Sequence, residues 1–406
     1  MALDYFALSA ATDSGLFQAT TDIVTNTDKR DLSDMLDLLA IADTPFINRI
    51  GWGAESAAQK IEWIYENLGP GYVIVGSGAA STATSIQIST VEGLTTAEAA
   101  KQLQSGTILY GYNSTNGEHA FFVVVSTGTD GEIEIEVLSS ITGVSQSTDI
   151  AAGDYLYILG AAANEASLPR TGNWRPRALA ENYFTILRQD VQISGSMQET
   201  EMYAIGREDL HQIAMRLKEM QRDRERMALY SLGVAVSSTN PRSTTEASLL
   251  KGALGFLASQ TGSEIDTTTT TLTESAVNTV VGACWESGAN KLTFYGHKDQ
   301  CAKFTQWDKN RIRTAVNEGR GGGYITKYLC EVPMEIDIVP LKKVPKNIAF
   351  LIDDTKCKLR AKRNRKAIMK KLGAKGDFDE WQILSEFSME MKGYNLHQHG
   401  IFTKLS

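Results

Sequence analysis

Apolar and polar residues are arranged in two different ways on either side of residue 200. Between residues 181 and 196, apolar side chains alternate with Thr, Gln and Ser, which predicts an extended strand segment. From Glu208 onward, apolar residues recur at helical spacing among many charged residues: Leu210, Ile213, Leu217, Met220 and Met227. The second pattern predicts one long amphipathic helix. A strand that leads into a solitary, highly charged helix indicates a role in architecture and assembly.

Shorter patterns predict a mixed α+β fold around this helix. One helix is predicted at residues 32–40, and another follows a capping box at Thr271–Glu274 and ends at Gly288. Strands are predicted at residues 61–65, 292–295, 334–339, 348–352 and 383–391. A flexible loop is predicted at residues 319–323, which read Gly-Arg-Gly-Gly-Gly.

One block of the chain, residues 71–165, differs from the rest in charge and in pattern. It holds ten acidic residues and one base, Lys101, so its net charge is −9, whereas the whole chain carries −8. Short alternating segments separated by turns predict strands at residues 85–89, 121–125, 132–137 and 154–158. Regularly spaced short strands are typical of a small sandwich or barrel, so we expect a β module inserted into a host domain.

The start of this block also resembles a dinucleotide-binding loop. Residues 72–81 read as a strand followed by glycines, but Ser81 occupies the third glycine position. The following residues favour a strand, whereas phosphate binding there requires the N-terminus of a helix. We therefore reject the nucleotide-binding interpretation.

Length and composition set the class of protein. The chain has 406 residues, more than the roughly 250–300 at which one core stops growing, so two or more sub-domains are expected. Hydrophobic residues make up 42% and charged residues 22%, as in an ordinary globular protein. No apolar run approaches the ~20 residues that span a bilayer, so no membrane partner is expected. The cysteines lack metal-binding spacing and are expected to be reduced thiols: Cys284, Cys301, Cys330 and Cys357.

The sharpest local feature is a basic run between Lys356 and Lys375, which contains ten Lys or Arg residues and no acid. In its first part, basic and apolar residues alternate, so the cations share one face of a strand. The candidate site residues are Lys356, Lys358, Arg360, Lys362, Arg363, Arg365 and Lys366. Three interpretations stay open: contact with an acidic patch of a neighbouring subunit, contact with DNA phosphates, or a solvated strand edge whose lysines discourage unwanted pairing.

Catalytic and metal-binding signals are weak. No nucleophile elbow, phosphate-binding loop or zinc-protease motif is present, so neither enzymatic activity nor a cofactor is expected. His397 and His399 could place two imidazoles on one face of a strand, but no cysteine or carboxylate motif completes a metal site.

The order of several motifs resembles the major capsid proteins of tailed bacteriophages, which have the Hong Kong ninety-seven-type fold. The segments that carry the resemblance are residues 38–46, 60–63, 182–188, 191–195, 219–225, 250–256, 372–377, 381–383 and 386–390. Together they extend from about residue 30 to residue 405. The basic stretch at residues 361–366 is a departure from the family pattern.

The resemblance implies a domain organisation. Residues 1–50 would form an N-terminal arm, and 51–198 an extended loop that carries the β module at 71–165. Residues 199–245, with the long spine helix, and the returning segment 341–406 would form a peripheral domain, and 246–340 an axial domain.

The resemblance also implies a function. The chain would be a major capsid protein that self-assembles into hexamers and pentamers of an icosahedral shell around double-stranded DNA. Its partners would be copies of itself, a portal, separate scaffolding or decoration proteins where assembly requires them, and non-specifically bound packaged DNA. We expect assembly in the host cytoplasm and residence in the virion capsid. The alternatives are an encapsulin-like compartment shell and a phage tail or surface-binding module.

Overall fold

A computed structural model describes most of the chain. The described residues are 44–66, 71–77, 84–89, 96, 100, 103–115, 117–128, 131–138, 150–163, 165, 177–200, 207–234, 247–260, 262–309, 325–373 and 376–406. The helix predicted at residues 32–40 and the loop predicted at 319–323 lie outside this set. No helix among the described residues is long and apolar enough to span a membrane.

The described elements mix helices and strands along the chain, which confirms the predicted α+β class. The helices are α1 (Pro45–Ile50), α2 (Gly195–Gln198), α3 (Glu208–Tyr230), α4 (Ala253–Leu257), α5 (Glu274–Glu286) and α6 (Lys298–Lys309). The strands of the first half are β1 (Lys60–Tyr65), β2 (Tyr72–Ser77), β3 (Ser85–Ile88), β4 (Thr107–Tyr112), β5 (His119–Thr127), β6 (Glu132–Val137), β7 (Tyr155–Ala161), β8 (Ala178–Tyr183) and β9 (Thr185–Ser194). The later strands are β10 (Leu232–Val234), β11 (Leu249–Lys251), β12 (Ile265–Asp266), β13 (Leu292–His297), β14 (Lys327–Leu329), β15 (Glu335–Leu341), β16 (Ala349–Ile352), β17 (Cys357–Ala361), β18 (Ile368–Lys371), β19 (Phe378–Met391) and β20 (Gly400–Phe402). Short 3₁₀ helices span Asp354–Lys356 and Tyr394–Leu396.

The block predicted as a β module folds into a closed barrel. Its described strands follow the order β2, β3, β6, β5, β4, β7, and β7 pairs back with β2. The inward side chains form a core of their own, which includes Val73, Val75, Ile86, Ile88, Leu109, Phe122, Val124, Ile133 and Leu156. The predicted inserted all-β module is confirmed, although strand β4 was not predicted. In β4, a Cβ on Gly111 would lie 2.7 Å from the terminal methyl groups of Ile150 and Leu156, so a larger residue would require these side chains to shift.

A six-stranded sheet lies elsewhere in the chain, with described strand order β12, β20, β16, β13, β15, β14. Its strands β13, β15 and β16 include those predicted at residues 292–295, 334–339 and 348–352. Helices α5 and α6 supply the other half of a buried core through residues such as Val277, Val281, Cys301 and Phe304. The N-cap of α5 is Thr273, whose hydroxyl accepts a hydrogen bond from the Ala276 amide, so the predicted cap at Thr271 is two residues early. Gly288, with φ of +85°, follows the helix as predicted.

A second core surrounds strand β17. It combines apolar side chains from α1, β1, the end of α3, α4, β17 and β19, including Phe46, Trp63, Leu229, Phe256, Leu359 and Phe387. Strands β1 and β8 form an antiparallel two-stranded ribbon that leads into and out of the barrel sequence. The segment predicted to be extended at residues 181–196 forms parts of β8 and β9, which are separated by the buried residue Phe184, but its last two residues are helical and belong to α2.

The chain divides into two compact units. The described part of the smaller unit comes from Gln189–Glu219 and Met369–Gln382. Within it, the Gln192 amide donates a hydrogen bond of 3.1 Å to the Glu380 carboxylate, and the Gly195 amide donates one of 3.1 Å to the Asp377 carbonyl. The larger unit contains Asp43–Arg188, Met220–Ile368 and Ile383–Ser406, and therefore the barrel, both buried cores and strand β17. The domain boundaries inferred from the resemblance stay a prediction.

The predicted long helix is confirmed as α3, but its apolar stripe is only partly buried. Ile213 and Met220 are buried, whereas Leu210 and Leu217 are exposed on the single chain. Arg224 and Glu225 are buried near the end of the helix, where the sequence pattern indicated a charged face. The exposed leucines leave apolar surface on α3 in an isolated subunit.

Candidate functional site: the basic strand β17

Strand β17 has the alternating faces that its sequence predicts. Cys357, Leu359 and Ala361 are buried, whereas Lys358 is exposed and Arg360 is half-buried. The strand pairs antiparallel with β19, with Lys358 opposite Glu390. Its apolar side therefore packs into the core, and its basic side faces away from that core.

The segment that follows α1 runs along the other edge of β17. The Gly53 amide donates a hydrogen bond of 2.7 Å to the Leu359 carbonyl, and the Ser56 amide donates one of 2.9 Å to the Ala361 carbonyl. A Cβ on Gly53 would lie 2.8 Å from Cδ of Arg360, so this close approach favours glycine. Because both edges of β17 are paired, its lysines do not protect a free strand edge.

Arg360 is tied into the fold by its guanidinium group. Its Nε donates a hydrogen bond to the Ala54 carbonyl, and its NH1 lies 2.9 Å from the Glu390 carboxylate. Glu390 is 7% exposed and also has Lys392 Nζ at 3.2 Å. A carboxylate as buried as that of Glu390 requires cationic partners, so Arg360 stabilises the fold by compensating this charge.

Three more of the predicted site residues have partners within the chain. Lys362 Nζ donates to the Ala58 carbonyl and lies 5.3 Å from the centre of a phenyl ring, that of Phe184. Arg365 Nε lies 2.6 Å from the carboxylate of Glu386, which is buried. Lys356 Nζ donates to the side-chain oxygen of Gln398 and lies 3.8 Å from Asp353.

Lys366 belongs to a stacked group around Trp52 that the sequence did not reveal. Lys366 Nζ lies 4.5 Å from the centre of the Trp52 ring, and the guanidinium carbon of Arg224 lies 5.8 Å from it. Arg224 also donates a hydrogen bond of 3.2 Å to the Lys366 carbonyl. Burial lowers the pKa of Arg224. The available signal was the position of Arg224 four residues after the apolar Met220, on the same side of a helix.

Three of the predicted residues are exposed: Lys358, Arg363 and Lys366, of which Lys366 lies over the Trp52 ring. Neither Lys358 nor Arg363 forms an ion pair with any described residue. The arrangement can thus present two cations to another molecule without breaking an internal contact. The other five cations hold strand β17 and its neighbouring segments together.

The two histidines considered as metal ligands do not share a strand face. His397 follows a 3₁₀ helix with φ of +55°, and its Nδ1 contacts the Glu264 carboxylate. His399 is buried; its Nδ1 accepts a hydrogen bond of 3.1 Å from the Asp353 amide, and its Nε2 donates one of 2.7 Å to the Lys392 carbonyl. Both ring nitrogens of His399 are thus engaged in hydrogen bonds within the chain. Within the described ranges, no cluster of three or more His, Cys, Asp or Glu residues could hold a metal.

The cysteines are free thiols, as predicted, and the structure places them in the interior. All four are free and buried. Burial raises the pKa of Cys330 to about 12 and also raises the pKa values of Cys284 and Cys357. Because the thiolate is the nucleophilic form, these residues are poorly suited to nucleophilic chemistry.

The β1–β8 ribbon carries an apolar pair on its exposed face. Ile64 and Leu179 lie opposite each other across the two strands and are 67% and 57% exposed. The opposite face is buried through Ile61, Trp63 and Ala180. A cross-strand apolar pair in solvent is a feature that contact with another chain would cover.

Comparisons with known proteins agree with the predicted resemblance. The sequence model of the SU10 major capsid protein family matches residues 17–406. The chain is similar in fold to the Cyanophage A-1(L) capsid asymmetric unit, with a TM-score of 0.53 and 10% identity, over 94% of this chain and 98% of that one. A native GTA particle capsid gives 0.49 with 8% identity, over 94% and 97% of the two chains. The holo-SrpI encapsulin of Synechococcus elongatus PCC 7942 gives 0.40 with 10% identity, over 57% and 78%. No curated protein matches the sequence.

Proposed function

Because the chain belongs to the SU10 major capsid protein family, we propose that it forms the hexamers and pentamers of an icosahedral shell enclosing double-stranded DNA. A major capsid protein associates with copies of itself and resides in the virion capsid. The observation that supports this proposal most strongly is the family match, which extends over residues 17–406 and not over one motif.

The surface of the single chain supports assembly through subunit contacts. Ile64 and Leu179 on the ribbon, and Leu210 on α3, are more than half exposed. Each apolar side chain removed from water contributes about 1.5–3 kcal/mol when fully buried. Many such contacts, each weak, stabilise a closed shell because every subunit repeats them.

The remaining partners follow from the same proposal. A portal and, where needed, scaffolding or decoration proteins would bind the assembling shell in the host cytoplasm. Packaged DNA would be contacted non-specifically through its phosphates. The chain's role would be structural and not enzymatic.

Electron microscopy with light scattering of the full chain tests the proposal. The chain is expressed alone and together with its neighbouring genes, and particles from infected cells are treated with nuclease. Closed polyhedral shells, and nuclease-resistant double-stranded DNA inside the virions, are the expected results. A monomer under every condition, a tube or ring, or a small shell filled with protein cargo would overturn it.

A ribbon variant makes this experiment specific to a surface. Ile64→Asp places a carboxylate on the exposed apolar pair and should block shell formation while the far-UV circular dichroism of the subunit stays native. Ile64→Val is the matched control, because it keeps the surface apolar at the same position. Shells of Ile64→Asp in normal yield would show that the ribbon face is not a subunit contact.

A further inference from the structure

The outer face of the barrel carries a row of aromatic rings across four adjacent strands. Tyr72 on β2 lies opposite Tyr157 on β7, Tyr157 lies opposite Tyr110 on β4, and Tyr110 lies opposite Phe121 on β5. The ring centres along this row are 6.2, 6.4 and 5.2 Å apart. Each neighbour in the row is therefore within the range of aromatic contact.

A further set of rings widens this row into a surface. Tyr155 lies 5.3 Å from Tyr72 and 6.4 Å from Tyr157, and Tyr112 lies 5.6 Å from His119 between ring centres. Tyr155 and Tyr157 are each 47% exposed. Tyr72 packs partly against the barrel core, but the core itself is filled by the inward residues of the same strands, such as Leu109 and Phe122, and the other rings lie outside it. Contiguous aromatic surface in solvent is typical of a binding surface, since aromatic side chains are enriched in interface cores.

Carboxylates border the aromatic surface. Strand β6 pairs with β5, the outermost aromatic strand, and its exposed side chains are Glu132, Glu134 and Glu136. The whole block at residues 71–165 has a net charge of −9. Aromatic faces and carboxylates both attract Lys and Arg side chains, the first through cation–π contact and the second through ion pairs. The same charge repels nucleic acid phosphates.

A second copy of this chain offers a surface of the matching chemistry. The segment from Lys356 to Lys375 contains ten Lys or Arg residues and no acid, against −9 for the barrel block. Six of its cations, Lys371 included, contact partners within the chain, but Lys358 and Arg363 are exposed and form no ion pair with any described residue. We propose that the aromatic and acidic face of the barrel binds Lys358 of strand β17, together with Arg363 in the turn that follows the strand, in a neighbouring copy of this chain. This inference rests on the proposed shell function, because the shell supplies the neighbouring copy.

Paired charge reversal tests the contact in the full chain. Glu134→Lys with Glu136→Lys, or Lys358→Glu with Arg363→Glu, should each lower shell yield about tenfold, because every subunit loses the same attraction. The combination of all four changes should restore most of the yield. Lys298→Glu with Lys404→Glu is the matched control, since it makes the same charge change at exposed positions elsewhere. Yield that is unaffected by either pair, or no rescue by the combination, would overturn the proposal.

Zero-length carbodiimide cross-linking of assembled shells gives the second readout. Shells are assembled from mixed isotope-labelled and unlabelled chains, so that links between copies differ in mass from links within one. Links from Lys358 to β6 carboxylates between copies are expected, and Tyr155→Ser with Tyr157→Ser should reduce them about tenfold. Only links within one chain, or none, would overturn the proposal even if wild-type shells close. Failure of the wild-type chain to form any shell would instead overturn the proposed function.

Discussion

The barrel and strand β17 are built on the same alternation but use their outer faces differently. In both, apolar side chains point inward and polar or aromatic ones point away. The barrel core consists of barrel residues alone, whereas the core beneath β17 collects side chains from six or more elements along the chain. Outside, the barrel presents uncovered rings and carboxylates. On β17, by contrast, most cations bond back to the Gly51–Ala58 segment or to carboxylates of β19.

In the barrel, the residues that stabilise the fold differ from those that are available for binding. On β17, most of the outer residues also stabilise the fold. The side chains of outer barrel residues such as Glu136 and Tyr155 form no hydrogen bond or ion pair with any described residue, so the effects of changing them report on partners. Most outer residues of β17 hold buried carboxylates or backbone carbonyls, so their effects report on folding first. The substitutions that compare the two regions follow, from the largest expected effect to the smallest.

Phe122→Ala should produce the largest effect. The Phe122 ring is fully buried in the barrel core, and loss of such a ring costs about 3–5 kcal/mol. Because that core is separate, hydrogen exchange should show lost protection in barrel amides while β13 and β16 keep theirs. The adjacent Phe121→Ala is the control, because its ring lies on the outer face. Equal loss of protection throughout the larger unit would show that the barrel is not an independent folding region.

Arg360→Ala should destabilise the unassembled subunit by about 3 kcal/mol, because the buried Glu390 carboxylate loses its closest cation. Urea unfolding at neutral pH measures the change. Adding Glu390→Gln should recover part of the loss, since the uncompensated charge is then removed. If Arg360→Ala alone leaves the free energy of unfolding unchanged, Lys392 is a sufficient partner for Glu390.

His399 should make stability depend on pH. Burial lowers its pKa from 6.5 to about 4, so the unfolded chain binds a proton before the folded chain does. Protonation of His399 therefore leaves the free energy of unfolding unchanged above pH 6.5. As the pH falls from 6.5 toward 4, it lowers that free energy by up to roughly 3 kcal/mol. Urea unfolding at several pH values should show a smaller slope in His399→Gln than in wild type. The same slope in His399→Gln and wild type would contradict the assignment.

Lys358→Ala should have the smallest effect on stability, within about 0.5 kcal/mol, because an exposed side chain without a described ion pair loses little on truncation. It differs from Arg360→Ala by two positions on the same strand, so the two variants isolate the effect of internal bonding. Thermal unfolding of both under identical conditions is the measurement. A destabilisation comparable to that of Arg360→Ala would remove Lys358 from the set of residues available for binding.

Sequence patterns predicted most of the described elements that this comparison uses but missed strand β4. Helix α3 and the strands β6 and β15 follow a regular alternation of apolar and polar residues, whereas β13 and β16 were predicted as short apolar runs. Strand β4 was missed because its outer residues, Ile108, Tyr110 and Tyr112, are apolar or aromatic and erase the alternation. Strand β4 contributes Tyr110 and Tyr112 to the aromatic surface. The outward aromatic residues that concealed the strand in the sequence therefore also form part of the candidate binding face.

For the basic run, the sequence predicted the strand and its two faces but not the partners that its basic side chains contact. Alternation alone placed Lys358 and Arg360 on one side, which is correct. It could not show that Gly53 and Ser56 pair with β17, because those residues are more than 300 positions away in the chain. Nor could it show that Arg224 joins Lys366 at Trp52.

The sequence by itself determined the α+β class, the inserted acidic β block, the long helix and the family. These follow from local periodicity, composition and the order of motifs, which depend only on residues that are near one another in the sequence or on their order. The tertiary structure decided which cations stay free and which rings form one surface. Such properties depend on pairings between distant segments, and a strand's register and covering neighbours are fixed only when the whole core packs.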